Sequence, residues 1–343
     1  MIADGARTLG EGFHHVRGGA HAELEALSDA AARGNDVRGA TLYVTLEPCD
    51  HTGLTPPCSL AVRDAGIARV VIGTLDPNPR TAGGGVARLR AADLAVDVVD
   101  DAWARELIED FALAVARPRP FLRLKLAASL DGYVAPRPGE RHWLTGREAR
   151  SHVRELRATH DAVLVGAGTV RIDDPQLSVR PPRARRKPYV RAVACEDAPV
   201  TLDRAVLTPL EGYDATIVLA PAGARATFSS LEAVADVAYV GDAAARTLDL
   251  RVALEMLHAR GIASVLCEGG PTLAEHLLEA GLVDRVDWLV APVLLANGGA
   301  VAALGAGAGK AGTELAFDRV ERLGPDLLLS ARLTTRGSAC SAD

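Results

Sequence analysis

No apolar run in this sequence reaches the roughly 18 residues a membrane-spanning helix needs, which excludes a helical membrane protein. The start, Met1-Ile2-Ala3-Asp4-Gly5, lacks both the basic lead and the apolar stretch of a signal peptide, so a cytoplasmic location is expected. Cysteine is scarce and odd in number: there are five, and only Cys49 and Cys58 lie close together. That argues against a disulfide framework. Aromatic residues make up only 4%, too few for the stacking platforms that bind single-stranded nucleic acid. Lysine is nearly absent, 3 against 35 arginines, a bias that genomic base composition explains. Excess positive charge is also missing. Residues 1–117 carry 11 arginines against 17 acids, and the remainder holds 27 of each sign. Nucleic-acid affinity rests on neutralising phosphates, so DNA and RNA are not expected partners.

What is present is an ordinary globular balance: 343 residues, 48% hydrophobic, 24% charged, net charge −6. The length argues for about two domains. In the first part, Ala40–Leu46 and Ala68–Leu75 read as buried strands, and Cys58–Ala65 and Gly85–Ala92 as helices. Trp103, Leu107, Ile108, Phe111 and Val115 form an apolar stripe at helical spacing. Arg117-Pro118-Arg119-Pro120 is a stiff linker in which no helix can continue. Beyond it the alternation resumes. Strands are predicted at 121–128, 162–165, 190–194, 216–220, 237–240, 262–267 and 286–293, and helices at 147–158 (Thr145 as N-cap), 250–259 and 272–278. Residues 315–320 and 326–333 read as a closing antiparallel pair. The expected organisation is therefore an α/β chain with domains at 1–117 and 120–335, a loose tail at 336–343, and helices on both faces of mostly parallel sheets.

The strongest chemical signal in the first half is His21-Ala22-Glu23, followed by Pro48-Cys49 and then Cys58. One imidazole and two thiolates give three ligands for a tetrahedral zinc and leave a fourth position open for water. Zinc lowers the pKa of that water toward neutrality. A carboxylate two residues from the histidine, Glu23, can carry protons from the first turn of a helix. His-x-Glu, Pro-Cys and a second Cys are the grammar of zinc-dependent nucleobase deaminases. A lone His or Cys is more often a core or surface residue, but here four residues of the right types fall in the right order on element ends. The spacer, Cys-x8-Cys, is longer than the commoner Cys-x2-Cys, and it contains His51, either a surface loop histidine, a substrate contact or a competing ligand.

Gly18-Gly19-Ala20-His21-Ala22-Glu23, Thr41 to Cys49 (TLYVTLEPC), Thr55-Pro56-Pro57-Cys58 and Asp76-Pro77-Asn78-Pro79 together resemble the deaminase half of the bifunctional riboflavin-biosynthesis deaminase/reductases. The second half carries the same resemblance independently. Leu124 to Gly132 (LKLAASLDG), Trp143-Leu144-Thr145-Gly146, Val165 to Val170 (VGAGTV), Asp173 to Arg180 (DDPQLSVR) and Cys267 to Leu273 (CEGGPTL) are similar to the family's reductase domain. The resemblance runs from about Gly12 to Leu333. It implies a cytidine-deaminase-like zinc domain followed by a dihydrofolate-reductase-like domain that uses NADPH, a small phosphorylated pyrimidine as substrate, and a homo-oligomer.

Residue by residue, the resemblance implies zinc on His21, Cys49 and Cys58, with Glu23 catalytic. It implies NADPH against Ala127, Trp143, Thr169, Asp173 and the run Gly270, Pro271, Thr272, Leu273, Ala274, Glu275 and His276. Substrate would meet Arg141, Arg157, Leu177, Arg180 and Glu268, an arginine fork suiting a ribose phosphate. Arg141 stands where the family has a Ser. The physics of the Gly motifs agrees with a dinucleotide. Gly269-Gly270 and Gly166-Ala167-Gly168 both follow strands, and Pro271 suits a first helical position whose open N–H groups can face a pyrophosphate. Either motif alone is more often a plain turn. Lys125 is either close to the reacting sugar carbon or an exposed strand residue, Trp143 also reads strongly as a packing residue, and the basic run Arg183 to Lys187 reads as a solvated loop, with contact to the cofactor's 2′-phosphate as the alternative.

Departures from the pattern cluster in the first half. Family members place a helix, a strand and an Asn-Pro stretch before the Asp4-Gly5 turn, and this chain starts within that strand. The expectation is an exposed sheet edge and a partly opened core, with either a start further upstream or a weakened deaminase. Ala20, Asp50 and Leu54 also differ from the family's usual residues. The alternatives are a reductase with a vestigial deaminase half, a nucleic-acid editor, or a non-catalytic scaffold.

Overall fold

The computed structural model describes residues 1–15, 19–52, 56–79, 81–140, 142–180, 187–295, 301–304 and 314–334. Two compact units divide the chain, Met1–Arg117 and Pro118–Asp343. In the first, the elements run β1 (Ile2–Asp4), β2 (Arg7–Gly10), α1 (Ala22–Ala32), β3 (Thr41–Leu46), α2 (Cys58–Asp64), β4 (Arg69–Thr74), α3 (Gly84–Ala91), β5 (Ala95–Val98), α4 (Ala102–Leu107) and α5 (Glu109–Ala116). The sheet order is β2-β1-β3-β4-β5, with β1 antiparallel to both neighbours and β3, β4 and β5 parallel. Alternate residues Leu42, Val70 and Ile72 turn one face of the sheet toward Ala26 of α1, Val62 of α2 and Leu89 of α3.

Three expectations change here. The short β1 is not an exposed edge, since it is paired on both sides and its Ile2 is fully buried. β3 is not buried throughout: Leu42 faces the core and Tyr43 faces out. The stripe from Trp103 to Val115 is not one helix. The chain breaks at Ile108, and Trp103, Leu107, Phe111 and Val115 are exposed while Ala104 and Ala114 are buried. Small residues decide the packing: the Ala104 Cβ lies over Gly73, where a Cβ on Gly73 would meet it at 2.6 Å.

The second unit runs β6 (Phe121–Ser129), β7 (Tyr133–Ala135), α6 (Arg147–Thr159), β8 (Ala162–Gly166), α7 (Ala167–Asp173), β9 (Val190–Ala194), β10 (Ile217–Pro221), α8 (Arg225–Phe228), β11 (Asp236–Val240), α9 (Leu250–Ala259), β12 (Ser264–Cys267), α10 (Pro271–Glu279), β13 (Arg285–Ala291), β14 (Val301–Ala302), β15 (Glu314–Leu323) and β16 (Asp326–Thr334). Nine strands form one sheet, β11-β10-β9-β8-β12-β6-β13-β16-β15, parallel up to β13 and antiparallel beyond it. α9 and α10 cover one face, over Leu122, Leu124 and Val265, while α6 packs Ala149 and Val153 on the other beside Leu289 and Leu328. A sheet covered on both faces accounts for the short apolar runs of β8 and β12 at its centre. Thr145 does not cap α6. Gly146 holds that position, and its N–H donates to Asp326 Oδ2 at 2.7 Å. Behind the linker, Arg119 forks onto Asp284 at 2.7 and 2.8 Å, and Asp284 also accepts the Leu122 N–H. This buried pair ties the entry of the central strand β6 to the start of β13.

Candidate metal centre and reductase cleft

His21 is the residue before α1, Cys49 follows the end of β3, and Cys58 opens α2. Three separate element ends thus meet at one point. The His21 Nδ1 lies 3.5 Å from Cys49 Sγ and 3.3 Å from Cys58 Sγ, and the ligand atoms of all three lie within 4.8 Å of one another. The Cys58 backbone N–H donates to Cys49 Sγ at 3.3 Å, which favours a thiolate there. The two neighbouring sulfurs oppose each other's ionisation. Cys49, accepting from the Cys58 thiol, has its pKa lowered to about 5, and Cys58 is pushed up by losing a proton beside that charge. A divalent cation removes this repulsion, so the donor set fits zinc.

Glu23 is the second residue of α1, 7% exposed, and its carboxyl contacts the Cys58 thiol. Burial raises its pKa above the usual carboxylate range, the direction a proton-carrying acid needs. His14, which the sequence reading passed over, stands edge-on to His21 with ring centres 5.2 Å apart. His51 is exposed, and Leu54 lies outside the described residues.

Two further side chains support the cluster. The buried Glu47 carboxylate accepts backbone N–H groups of Asp76, Gly83 and Val86 at 3.2, 2.9 and 3.0 Å, which moors the loop from Asp76 to the start of α3 beside Cys49. Gly85 is required there, since a Cβ would meet the Pro48 carbonyl at 2.0 Å. Asp50 takes the Ser59 hydroxyl at 2.5 Å and an ion pair from Arg88, so it links the residues that follow the two cysteines. An acid between a strand and a ligand gave no signal in the sequence that separates such roles from surface charge.

In the second unit a cleft of about 890 Å³ opens at the carboxyl ends of β6, β8 and β12, the ligand-binding end of an open α/β sheet. The two Gly motifs are neighbours there: the Gly166 N–H donates to the Gly269 carbonyl at 2.9 Å, and Thr169 Oγ1 lies 3.1 Å from where a Gly270 Cβ would stand. Pro271 takes the first position of α10. Ala127, Trp143, Thr169, Asp173, Gly270, Pro271, Thr272, Leu273 and His276 all line the cleft, as do Arg157, Leu177, Arg180 and Glu268. Ala274 and Glu275 do not. Ala274 is fully buried in the core, because α10 turns that face onto the sheet. Arg141 lies outside the described residues, as do Arg183, Arg185 and Arg186, while Lys187 donates to the Gly261 carbonyl at 3.0 Å.

The placement of individual groups sharpens their roles. Trp143 is 63% exposed, with the Arg150 guanidinium 5.3 Å above its ring, so it is a cleft-wall residue rather than a packing one. Arg157 does not offer its fork to the cleft. Its Nε and Nη2 hold Glu268 at 2.5 and 2.8 Å, and Nη1 holds the Ser178 carbonyl. Burial alone would raise the Glu268 pKa, but the Arg157 charge and hydrogen bonds hold it below the usual value. Lys125 is half-buried in the cleft floor. Burial lowers its pKa, with Glu268 the largest opposing influence, and no hydrogen bond holds its ammonium among the described residues. Leu177 adopts φ +55°, a strained conformation for a branched side chain, at the cleft wall.

These two sites define a zinc-type pyrimidine deaminase unit joined to a nucleotide-dependent reductase unit. The pattern of the cytidine and deoxycytidylate deaminase zinc-binding region matches residues 1–74, and that of the RibD C-terminal domain matches residues 120–329. The chain is 37% identical to the riboflavin biosynthesis protein RibD of Aquifex aeolicus over 96% of its own length and 90% of the relative's, and 36% identical to that of Escherichia coli with the same coverage. Its fold superposes on a solved RibD of Acinetobacter baumannii (TM-score 0.80, 33% identity, 97% and 91% of the two chains). It also superposes on a Thermotoga maritima protein described as a diaminohydroxyphosphoribosylaminopyrimidine deaminase/5-amino-6-(5-phosphoribosylamino)uracil reductase (TM-score 0.81, 32% identity, 97% and 90%). The chain belongs to the RibD family of bifunctional riboflavin-biosynthesis deaminase/reductases.

Proposed function

We propose that the first unit hydrolytically deaminates 2,5-diamino-6-(5-phosphoribosylamino)pyrimidin-4-one and that the second reduces the ribosyl group of the product to a ribityl chain. The observation that carries the reading is the convergence of His21, Cys49 and Cys58 around one point, with Glu23 buried beside it. When bound, zinc supplies an activated water and NADPH supplies the reducing equivalents. His21, Cys49 and Cys58 hold the metal. Glu23 takes the water's proton and delivers it to the departing ammonia, a transfer its raised pKa suits.

In the reductase cleft the chain's task is mainly alignment. The β8 and β12 turns and the start of α10 seat the cofactor's phosphates, and Trp143, Thr169 and Asp173 flank it. Glu268, fixed by Arg157, holds the sugar, and Lys125 stands ready to supply a proton to the sugar oxygen. Arg180 at the rim, rather than Arg157, meets the phosphate. The working protein is a cytoplasmic homo-oligomer that does not bind nucleic acid. The edge strand β15 exposes Phe317 and Val320, which a second copy would cover.

Glu23→Gln tests the reading. Ammonia release is expected to fall by about 10²- to 10⁴-fold, while NADPH oxidation on the deaminated substrate is unchanged. Loss of both activities, or of neither, contradicts two separate sites with Glu23 at one of them.

A further inference from the structure

At the opposite end of the same sheet lies a second pocket of about 460 Å³ that shares no lining residue with the cleft. It is framed by the residues just before β10, including Tyr213 and Thr216, and by Arg191 near the start of β9. Three arginines are buried among the described residues. Arg119 is paired with Asp284 and Arg285 with Asp318, but Arg191, 1% exposed, has no carboxylate partner among the described residues. Its Nη2 donates to the Thr208 carbonyl at 2.9 Å, and its Nε and Nη1 meet no acceptor among the described residues. The guanidinium also stacks 5.3 Å over the Tyr213 ring, which fixes its plane.

A buried cation with unfilled donors is costly unless a counter-charge reaches it. We propose that this pocket binds a small oxyanion, a carboxylate or phosphate-monoester head, on the Arg191 guanidinium. Planar, charge-assisted hydrogen bonds to an oxyanion are what an immobilised arginine offers best. Glu211 and Asp214 stand exposed at the rim. They disfavour a polyanion and select a ligand with one anionic head and a neutral or cationic remainder facing out.

Equilibrium dialysis of the full chain against inorganic phosphate and against acetate, at fixed ionic strength, tests this. The wild type is expected to bind saturably. Arg191→Met should weaken that binding by about 10- to 100-fold and leave NADPH oxidation unchanged, and the tighter of the two probes identifies the head. Binding equal in wild type and variant, or no saturation with either probe, overturns the proposal. Should the Met variant not fold, Arg191→Lys keeps the charge but loses the fork, and is expected to bind about tenfold more weakly. A crystal structure of the unmodified chain grown with phosphate gives an independent answer: an oxyanion on Nε and Nη1 supports the site, and water alone there overturns it.

Discussion

The metal centre and the reductase cleft perform their chemistry by opposite means. The metal centre uses four rare side chains from three element ends, gathered within 4.8 Å for the three ligand atoms. The cleft spreads over β6, α6, α7, β8, β12 and α10, and many side chains share its lining with the two Gly motifs. Residue identity therefore decides the first site, and placement of strand ends decides the second. One substitution should abolish the first function, whereas single changes in the second should produce graded losses.

That contrast can be broken by experiment. Cys58→Ser removes one of the two sulfurs, so ammonia release should fall to background while NADPH oxidation persists. A partial, graded loss of ammonia release would erase the distinction. Asp284→Ala leaves the Arg119 guanidinium buried without its partner, which costs about 3–5 kcal/mol. In denaturant, NADPH oxidation should then be lost earlier than in the wild type, with zinc release from the first unit unmoved. Simultaneous loss of both would mean the units unfold as one.

A third effect is pH-dependent. His160 is buried against Phe121, and burial lowers its pKa from 6.5 to about 4. Between those values the unfolded chain holds the proton and the folded chain does not. Stability of the second unit should therefore fall by about 3 kcal/mol as pH drops from 6.5 to 4, then level off. His160→Gln should flatten that slope in urea titrations. The smallest effect concerns positioning. Glu268→Gln loosens the fork with Arg157, and kcat/KM for reduction should fall about a hundredfold without abolishing NADPH binding. Abolition of both would make Glu268 a cofactor ligand instead.

Legibility in the sequence follows the same division. His21, Glu23, Cys49 and Cys58 could be read because zinc chemistry restricts both residue type and order. Strands such as β8 and β12 were legible because burial on both faces makes them apolar runs. The stripe from Trp103 to Val115 misled because helical periodicity does not say which side of a helix is covered, and here the covered residues are Ala104 and Ala114. Arg157 looked like a phosphate fork, since nothing local announces a partner 111 residues away. Glu47 and Asp50 were invisible for a related reason: their work is to hold backbone and neighbours that only the folded chain brings near.

Metal content of the purified chain tests the central claim most directly. Elemental mass spectrometry should find about one zinc per chain in the wild type and in Glu23→Gln, and little in Cys58→Ser. A wild-type chain that releases ammonia with no stoichiometric metal, or a Cys58→Ser chain that keeps its zinc, would contradict a centre built on His21, Cys49 and Cys58.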